Sequence, residues 1–225
     1  MNTDQPSIFI FGIRLDEPVT TVTDLLVSAV CLYAYFRLTR IGERQRLHQY
    51  LRFYFLSMGI ATFIGGVIGH GFLYLFSFAW KLPGWLTSMF SIALIERASI
   101  EQARKLISPK LGRALAWLNI IELITFMILT FSTLNFFFVE VHTTYGLLIV
   151  VASLNIFMYS RTRDPGSRLF IIAVGFSALG ALVFMNQWSI HIWFNYLDLS
   201  HTLLAISAGL FYKGSRIIIL NTRLN

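Results

Sequence analysis

The sequence is short of charge. Only 13% of its 225 residues are Asp, Glu, Lys or Arg, against roughly 25% in an average soluble domain. With 56% hydrophobic residues and a mean hydropathy of +0.67, it has too few polar side chains to cover a water-facing globule. Cysteine is almost absent. The single Cys31 excludes an intrachain disulfide framework and a Cys-rich zinc site, and its place in an apolar run marks it as a small packing residue. Acids are outnumbered, 11 against 18 Lys and Arg, for a net charge of +7. The basic residues lie in short segments between apolar stretches, a pattern of membrane orientation and not of nucleic-acid binding. The N-terminal MNTDQPSIFIFGIRLDEP lacks the basic start and long apolar core of a signal peptide.

What the sequence has in quantity is apolar length. A helix needs about 20 mostly apolar residues to cross a hydrocarbon layer, and seven runs qualify: 18–38, 50–78, 84–104, 113–137, 143–160, 168–188 and 190–212. Lys81-Leu82-Pro83-Gly84, Ser108-Pro109-Lys110 and Arg163-Asp164-Pro165-Gly166 supply turn chemistry between them. The predicted fold is therefore an all-α membrane protein, a bundle of seven transmembrane helices. Residues 1–17 form a short external segment, 18–212 the helical domain and 213–225 a cytoplasmic tail. Sixteen Lys and Arg fall on the side of the tail and only Arg14 and Lys81 on the other. By the positive-inside rule the N-terminus is outside and the C-terminus inside, as expected in a bacterial inner (cytoplasmic) membrane. Trp80, Trp85, Trp188 and Trp193 gather at the outer ends, where amphipathic rings suit the interface.

Ionisable groups inside such a layer are costly, roughly 2.5–3.5 kcal/mol for an Asp at a helix centre, and they mark functional sites by default. Asp24, His70, Asp198 and His201 stand out. At about 1.5 Å per residue they lie about 9, 12, 12 and 17 Å from the outer ends of their predicted helices, in one layer. Asn195, Asp198 and His201, three apart, share one side of the last helix, with His191 opening the stripe at the outer mouth. Gly65, Gly66, Gly69 and Gly71 around His70 allow another backbone to come close. Two His and one Asp make a suitable Zn²⁺ set with one position left for water. On this reading His70, Asp198 and His201 are the metal ligands and Asp24 is the catalytic acid–base group or a partner orienting a ligand. The same four groups could instead satisfy one another and lock the helices together. Asn119 and Glu122 are expected to bridge helices, Glu96 and Arg97 to be structural, and Glu140, His142 and His48 to be exposed.

With a buried histidine in the second helix, His70, and another in the seventh, His201, the chain resembles the superfamily of alkaline ceramidases and adiponectin-receptor-like proteins. Members hold zinc through one histidine of helix two and two of helix seven, assisted by a helix-two serine and an aspartate near helix three. Those of known activity hydrolyse amide bonds of lipids such as ceramide. The resemblance implies His70 and His201 as ligands, but Gly66 stands where the serine would be, Ala205 where the second histidine would be, and no aspartate lies near helix three. Asp198 and Asp24 could fill those roles. The stretch Asn195-Tyr-Leu-Asp-Leu-Ser-His201, with Gly69-His70-Gly71, also resembles small seven-helix membrane proteins of bacteria. The expected function is an intramembrane zinc hydrolase of a lipid amide or ester, with membrane lipids as partners and substrate. The alternative is a receptor, sensor or membrane-complex subunit whose polar layer binds a small ligand or stabilises the bundle.

Overall fold

A computed structural model of the chain describes residues 5–42 and 45–224. Arg44, counted among the inner charges, lies outside the described residues. A small hairpin comes first, β1 (Ile8–Ile10) against β2 (Ile13–Leu15). Its turn places both Phe11 and Gly12 at positive φ, the conformation a tight two-residue hairpin loop requires. Seven helices follow: α1 (Pro18–Thr39), α2 (Arg46–Gly71), α3 (Leu82–Ala103), α4 (Pro109–Thr133), α5 (Phe137–Thr162), α6 (Pro165–Met185) and α7 (Tyr196–Leu224). Proline opens α1, α4 and α6 and stands second in α3, where its missing N–H costs no hydrogen bond. Ser108 and Asp164 cap α4 and α6 by accepting from Leu111 N and Ser167 N. The last helix does not stop at residue 212 but continues as helix through Leu224.

Among the described residues, six of the seven helices are long and apolar enough to cross a membrane, so the chain is a multi-pass membrane protein. The exception is α3, which carries Glu96, Arg97 and Glu101. Its polarity is tolerable because α3 is central: it packs on α2, α4 and α5, and Glu96, Ser91 and Ser99 are fully buried. Helices α1, α2, α3, α5, α6 and α7 close a ring in that order, while α4 leans on α3 and α5 from outside. The outer face of α4 is apolar, with Trp117, Ile121, Ile124, Ile128 and Phe131 exposed.

One half of the ring is solid. Cys31, Leu38, Leu51, Phe55, Phe170 and Phe211 are almost completely buried there, and Phe211 meets both Tyr54 and Phe170 edge to face. Cys31 is the packing residue its surroundings predict. Where two helices cross closely the residue is glycine. An added Cβ on Gly166 of α6 would lie 2.9 Å from Gly214 O and 2.5 Å from Ile218 Cγ1 of α7.

Among the helix ends that differ from expectation, two bear on the site. Helix α2 winds its Gly65–Gly71 segment as a π-helix and ends there, not at residue 78. The glycines cost that segment helical propensity, and 3₁₀ turns at Leu73–Leu75 and Phe78–Lys81 complete the link to α3. Helix α7 starts at Tyr196, not at residue 190. His70 therefore lies beside the end of its helix and Asp198 in the first turn of its own. His48, expected at the surface, is buried with Nε2 2.9 Å from Leu38 O.

The α6–α7 crossing gives a direct test of the packing. Gly166→Ala is expected to destabilise the chain by about 1–3 kcal/mol, the usual cost of overpacking, read as a lowered unfolding temperature in detergent.

Candidate functional site

The half of the ring nearer the N-terminal hairpin is open. A cavity of about 560 Å³ is lined at its polar side by Glu17, Asp24, His70 and His201, and elsewhere mainly by apolar and aromatic side chains such as Ile92, Phe136 and Leu204. That volume falls in the range of small-molecule sites. A groove of about 230 Å³ adjoins it between α5 and α6, running past Leu148, Ala181 and Met185, and shares His201 with the cavity.

Glycine brings the polar residues together. Asp24 of α1 lies directly against Gly65 and Gly66 of α2. A Cβ on Gly65 would be 3.1 Å from Asp24 Oδ2, and one on Gly66 would be 3.0 Å from Asp24 Cβ. The close approach expected around His70 is thus made by α1. One oxygen of Asp24 then faces each histidine: Oδ2 is 3.8 Å from His70 Nε2, and Oδ1 is 3.6 Å from His201 Nε2. All three side chains are mostly buried.

The other ring nitrogens fix the tautomers. His70 Nδ1 forms a short contact with the carboxylate of Glu17, an acceptor, so the proton belongs on Nδ1. His201 Nδ1 is 3.3 Å from Thr23 Oγ1. Thr23 spends its own hydroxyl proton on Thr20 O at 3.0 Å, so His201 Nδ1 must be the donor there. In the neutral rings both Nε2 atoms then carry lone pairs, and both face the Asp24 carboxylate. With both rings neutral, three acceptors confront one another with no donor between them among the described residues. A cation resolves that arrangement, and the distances suit a metal: bonds of about 2.0–2.2 Å at tetrahedral angles put ligand atoms about 3.3 Å apart. A histidine whose second nitrogen donates to a carboxylate is the usual support of a metal ligand.

Sequence reasoning put all four groups in one layer, with Asp198 as a ligand and Asp24 as the acid–base or orienting group. Here Asp24 is the acid beside both rings, while Asp198 belongs to the start of α7. Asn195 Oδ1 accepts from Leu197 N at 2.9 Å and Asp198 N at 3.4 Å, and Asp198 Oδ2 accepts from Asn195 N at 2.7 Å. This is a capping box, with residue N3 reaching back to the cap. Gln5 completes it, donating to Asp198 Oδ2 at 2.5 Å and accepting from Val19 N at 3.0 Å at the start of α1. The orphan N–H groups of two helix ends thus explain Asn195 and Asp198. His191 precedes α7, is exposed, and takes Trp193 N on its Nδ1 at 3.2 Å. It does not reach the histidine pair. Glu17 went unrecognised because it lies in the polar segment ahead of the first apolar run.

Comparison with known families places the chain. The model of a family of unknown function, DUF6962, matches residues 19–219. The chain belongs to that family. The DUF6962 region takes in Asp24, His70 and His201 on α1, α2 and α7, while Gln5 and Glu17 precede it. The sequence matches no curated protein.

The two aspartates of this DUF6962 chain separate by experiment. Asn195→Ala, which breaks the box, is expected to lower stability by about 0.5–2 kcal/mol in thermal unfolding. Any metal content should stay unchanged, because neither cap residue touches the histidine pair.

Proposed function

We propose that the chain is a metal-dependent membrane hydrolase, with Asp24, His70 and His201 holding Zn²⁺ at the inner wall of the cavity and a lipid amide or ester as substrate. One observation carries this reading: two imidazole lone pairs and a carboxylate converge, 3.6 and 3.8 Å apart, with no donor among them. Glu17 holds the His70 ring and Thr23 the His201 ring, so the pair is oriented before any ion arrives. Three protein ligands leave a further position open towards the cavity, as in catalytic and not structural zinc sites. Zn²⁺ bound there would polarise a carbonyl and lower the pKa of a bound water towards about 7.

The substrate class follows from the walls. Apolar lining and an adjoining groove between α5 and α6 suit a chain of hydrocarbon, with the scissile polar group beside His201. The α3 helix is read as the seventh span, sheltered by its neighbours. The distribution of Lys and Arg supports an outside N-terminus and an inner, bacterial membrane, which puts the cavity in the outer half of the bundle.

Protein purified without chelators is expected to hold about one zinc per chain, and His70→Ala or His201→Ala to lose it while keeping helical content. Glu17→Gln should weaken binding about 10–100-fold, as loss of an outer-shell partner does elsewhere. Elemental analysis that finds no metal in the wild-type chain sinks the proposal and moves the site to the capture of a small cationic ligand.

A further inference from the structure

A second polar group lies behind the cavity wall. Glu96 of α3, Glu122 of α4 and His142 of α5 bring three side-chain atoms within 4.8 Å of one another. His142, expected in an exposed outer loop, is fully buried inside α5, as is Glu96 in α3, and the Glu122 side chain is 13% exposed. We propose that these three residues form a proton-binding site within the membrane-spanning bundle, in which Glu96 is held as the neutral acid.

The protons can be counted from the contacts. His142 Nε2 is 2.9 Å from Met89 O. A carbonyl only accepts, so Nε2 carries a hydrogen. His142 Nδ1 is 2.7 Å from Glu122 Oε1, which is a hydrogen bond and holds one proton. Whether that proton sits on nitrogen or oxygen, the His142–Glu122 pair is neutral as a unit. Glu96 remains. Asn119 Nδ2 donates to its Oε2 at 3.2 Å and to Ala93 O at 3.1 Å. Its Oε1 is buried without a hydrogen-bond partner, pressed so closely on α5 that a Cβ on Gly146 would lie 2.5 Å away. Glu122 Oε2 is likewise buried and unpartnered.

As a carboxylate, Glu96 would be an unbalanced charge beside a second acid in an apolar medium. Two carboxyl groups that close do not both ionise, and an unpaired buried charge is expensive. Arg97 and Tyr145 are the other ionisable groups that bear on this cluster, but among the described residues Glu96 makes no ion pair. A proton on Glu96 removes the charge, and the unpartnered Glu122 Oε2 is an acceptor within the cluster.

A divalent metal fits less well here than at Asp24, His70 and His201. Both nitrogens of His142 are already engaged, and the 2.7 Å contact with Glu122 is shorter than the roughly 3.3 Å between two ligands of one tetrahedral ion. The inference does not rest on the metal-site reading.

Infrared spectroscopy of the full chain in lipid vesicles at neutral pH tests it. The expected result is a carboxylic-acid C=O band that vanishes in Glu96→Gln and persists in Glu122→Gln. Glu96→Gln should also unfold within a few degrees of the wild type, since the amide replaces a group already neutral. Absence of such a band in the wild type overturns the proposal, as does a band unchanged in Glu96→Gln. So does a stoichiometric metal that Glu96→Gln removes while His70 and His201 are intact. If Glu96→Gln fails to fold, Glu96→Asp serves: a displaced band supports the assignment and an unmoved one overturns it.

Discussion

Inside an apolar layer no water is at hand to solvate a charge or to satisfy an orphan N–H, so each polar group must find its partner within the protein. The placement of the polar residues in this bundle follows from that constraint. Ser28 donates to Gly59 O at 2.7 Å, Ser91 to Tyr54 O at 3.1 Å and Ser207 to Ala173 O at 2.8 Å, each joining one helix to the next. Asn155 reaches Ser99 at 3.1 Å across α5 and α3. At the end of the bundle that carries the N-terminal hairpin, Gln5 serves the starts of α1 and α7 together. Against this background of satisfied groups, the few that stay unsatisfied carry information. Two of them, Glu96 Oε1 and Glu122 Oε2, fall together in the Glu96–Glu122–His142 cluster, while the others, on Thr20, Arg52, Asn155, Asp198 and Ser215, are scattered.

Both this cluster and Asp24–His70–His201 sit where a helix departs from α geometry. His70 belongs to the π-helical segment Gly65–Gly71, and Gly146, on which Glu96 rests, belongs to another, Tyr145–Val151. A π turn widens the helix and shifts the residues beyond it around the axis, which is why such turns recur at functional sites. In the first case the segment is glycine-rich, so α1 can press its Asp24 onto the α2 backbone and still face the His70 ring. In the second, the lack of a side chain at Gly146 leaves room for a carboxyl group between α3 and α5. Small residues at helix crossings are common in membranes because they let backbones approach. Here they also decide which acid meets which base.

The helical class and the number of helices were legible in the sequence, because apolar length reports directly on local structure. Half of the helix ends nevertheless lay four residues or more from where apolar length put them. The histidine pair was legible too, through the cost of ionisable groups within apolar runs. Asp24 was picked out with them, but its role was given to Asp198. Asn195-Tyr-Leu-Asp198 carries two readings at once, since a spacing of three is both a helical stripe and a capping box. Only the position of the helix start, which the apolar count misplaced by six residues, separates them. The same miscount put His191 on the helix. Glu17 and Gln5 were invisible for a different reason: their roles come from the folding of the N-terminal segment back over the ends of α1, α2 and α7. Asp16 N donates to Gly71 O at 3.0 Å, and Tyr74 N to Asp16 Oδ2 at 3.0 Å. Such long-range pairings leave no periodic trace.

The two clusters resolve one electrostatic problem in opposite ways, and access to the cavity accounts for the difference. Around Asp24 both histidines spend their protons outward, on Glu17 and Thr23, so their lone pairs are turned to a common point that opens to the cavity. A cation can arrive there from outside the fold and leave again. Around Glu96 the ring of His142 is held on both sides, by Met89 O and Glu122, within a shell that does not line the cavity. The charge balance there has to be built in as the chain folds, and a proton is the one cation small enough to sit inside hydrogen bonds of that length. Openness to exchange at the first cluster and closure at the second fit the proposed metal site and the proposed proton site respectively.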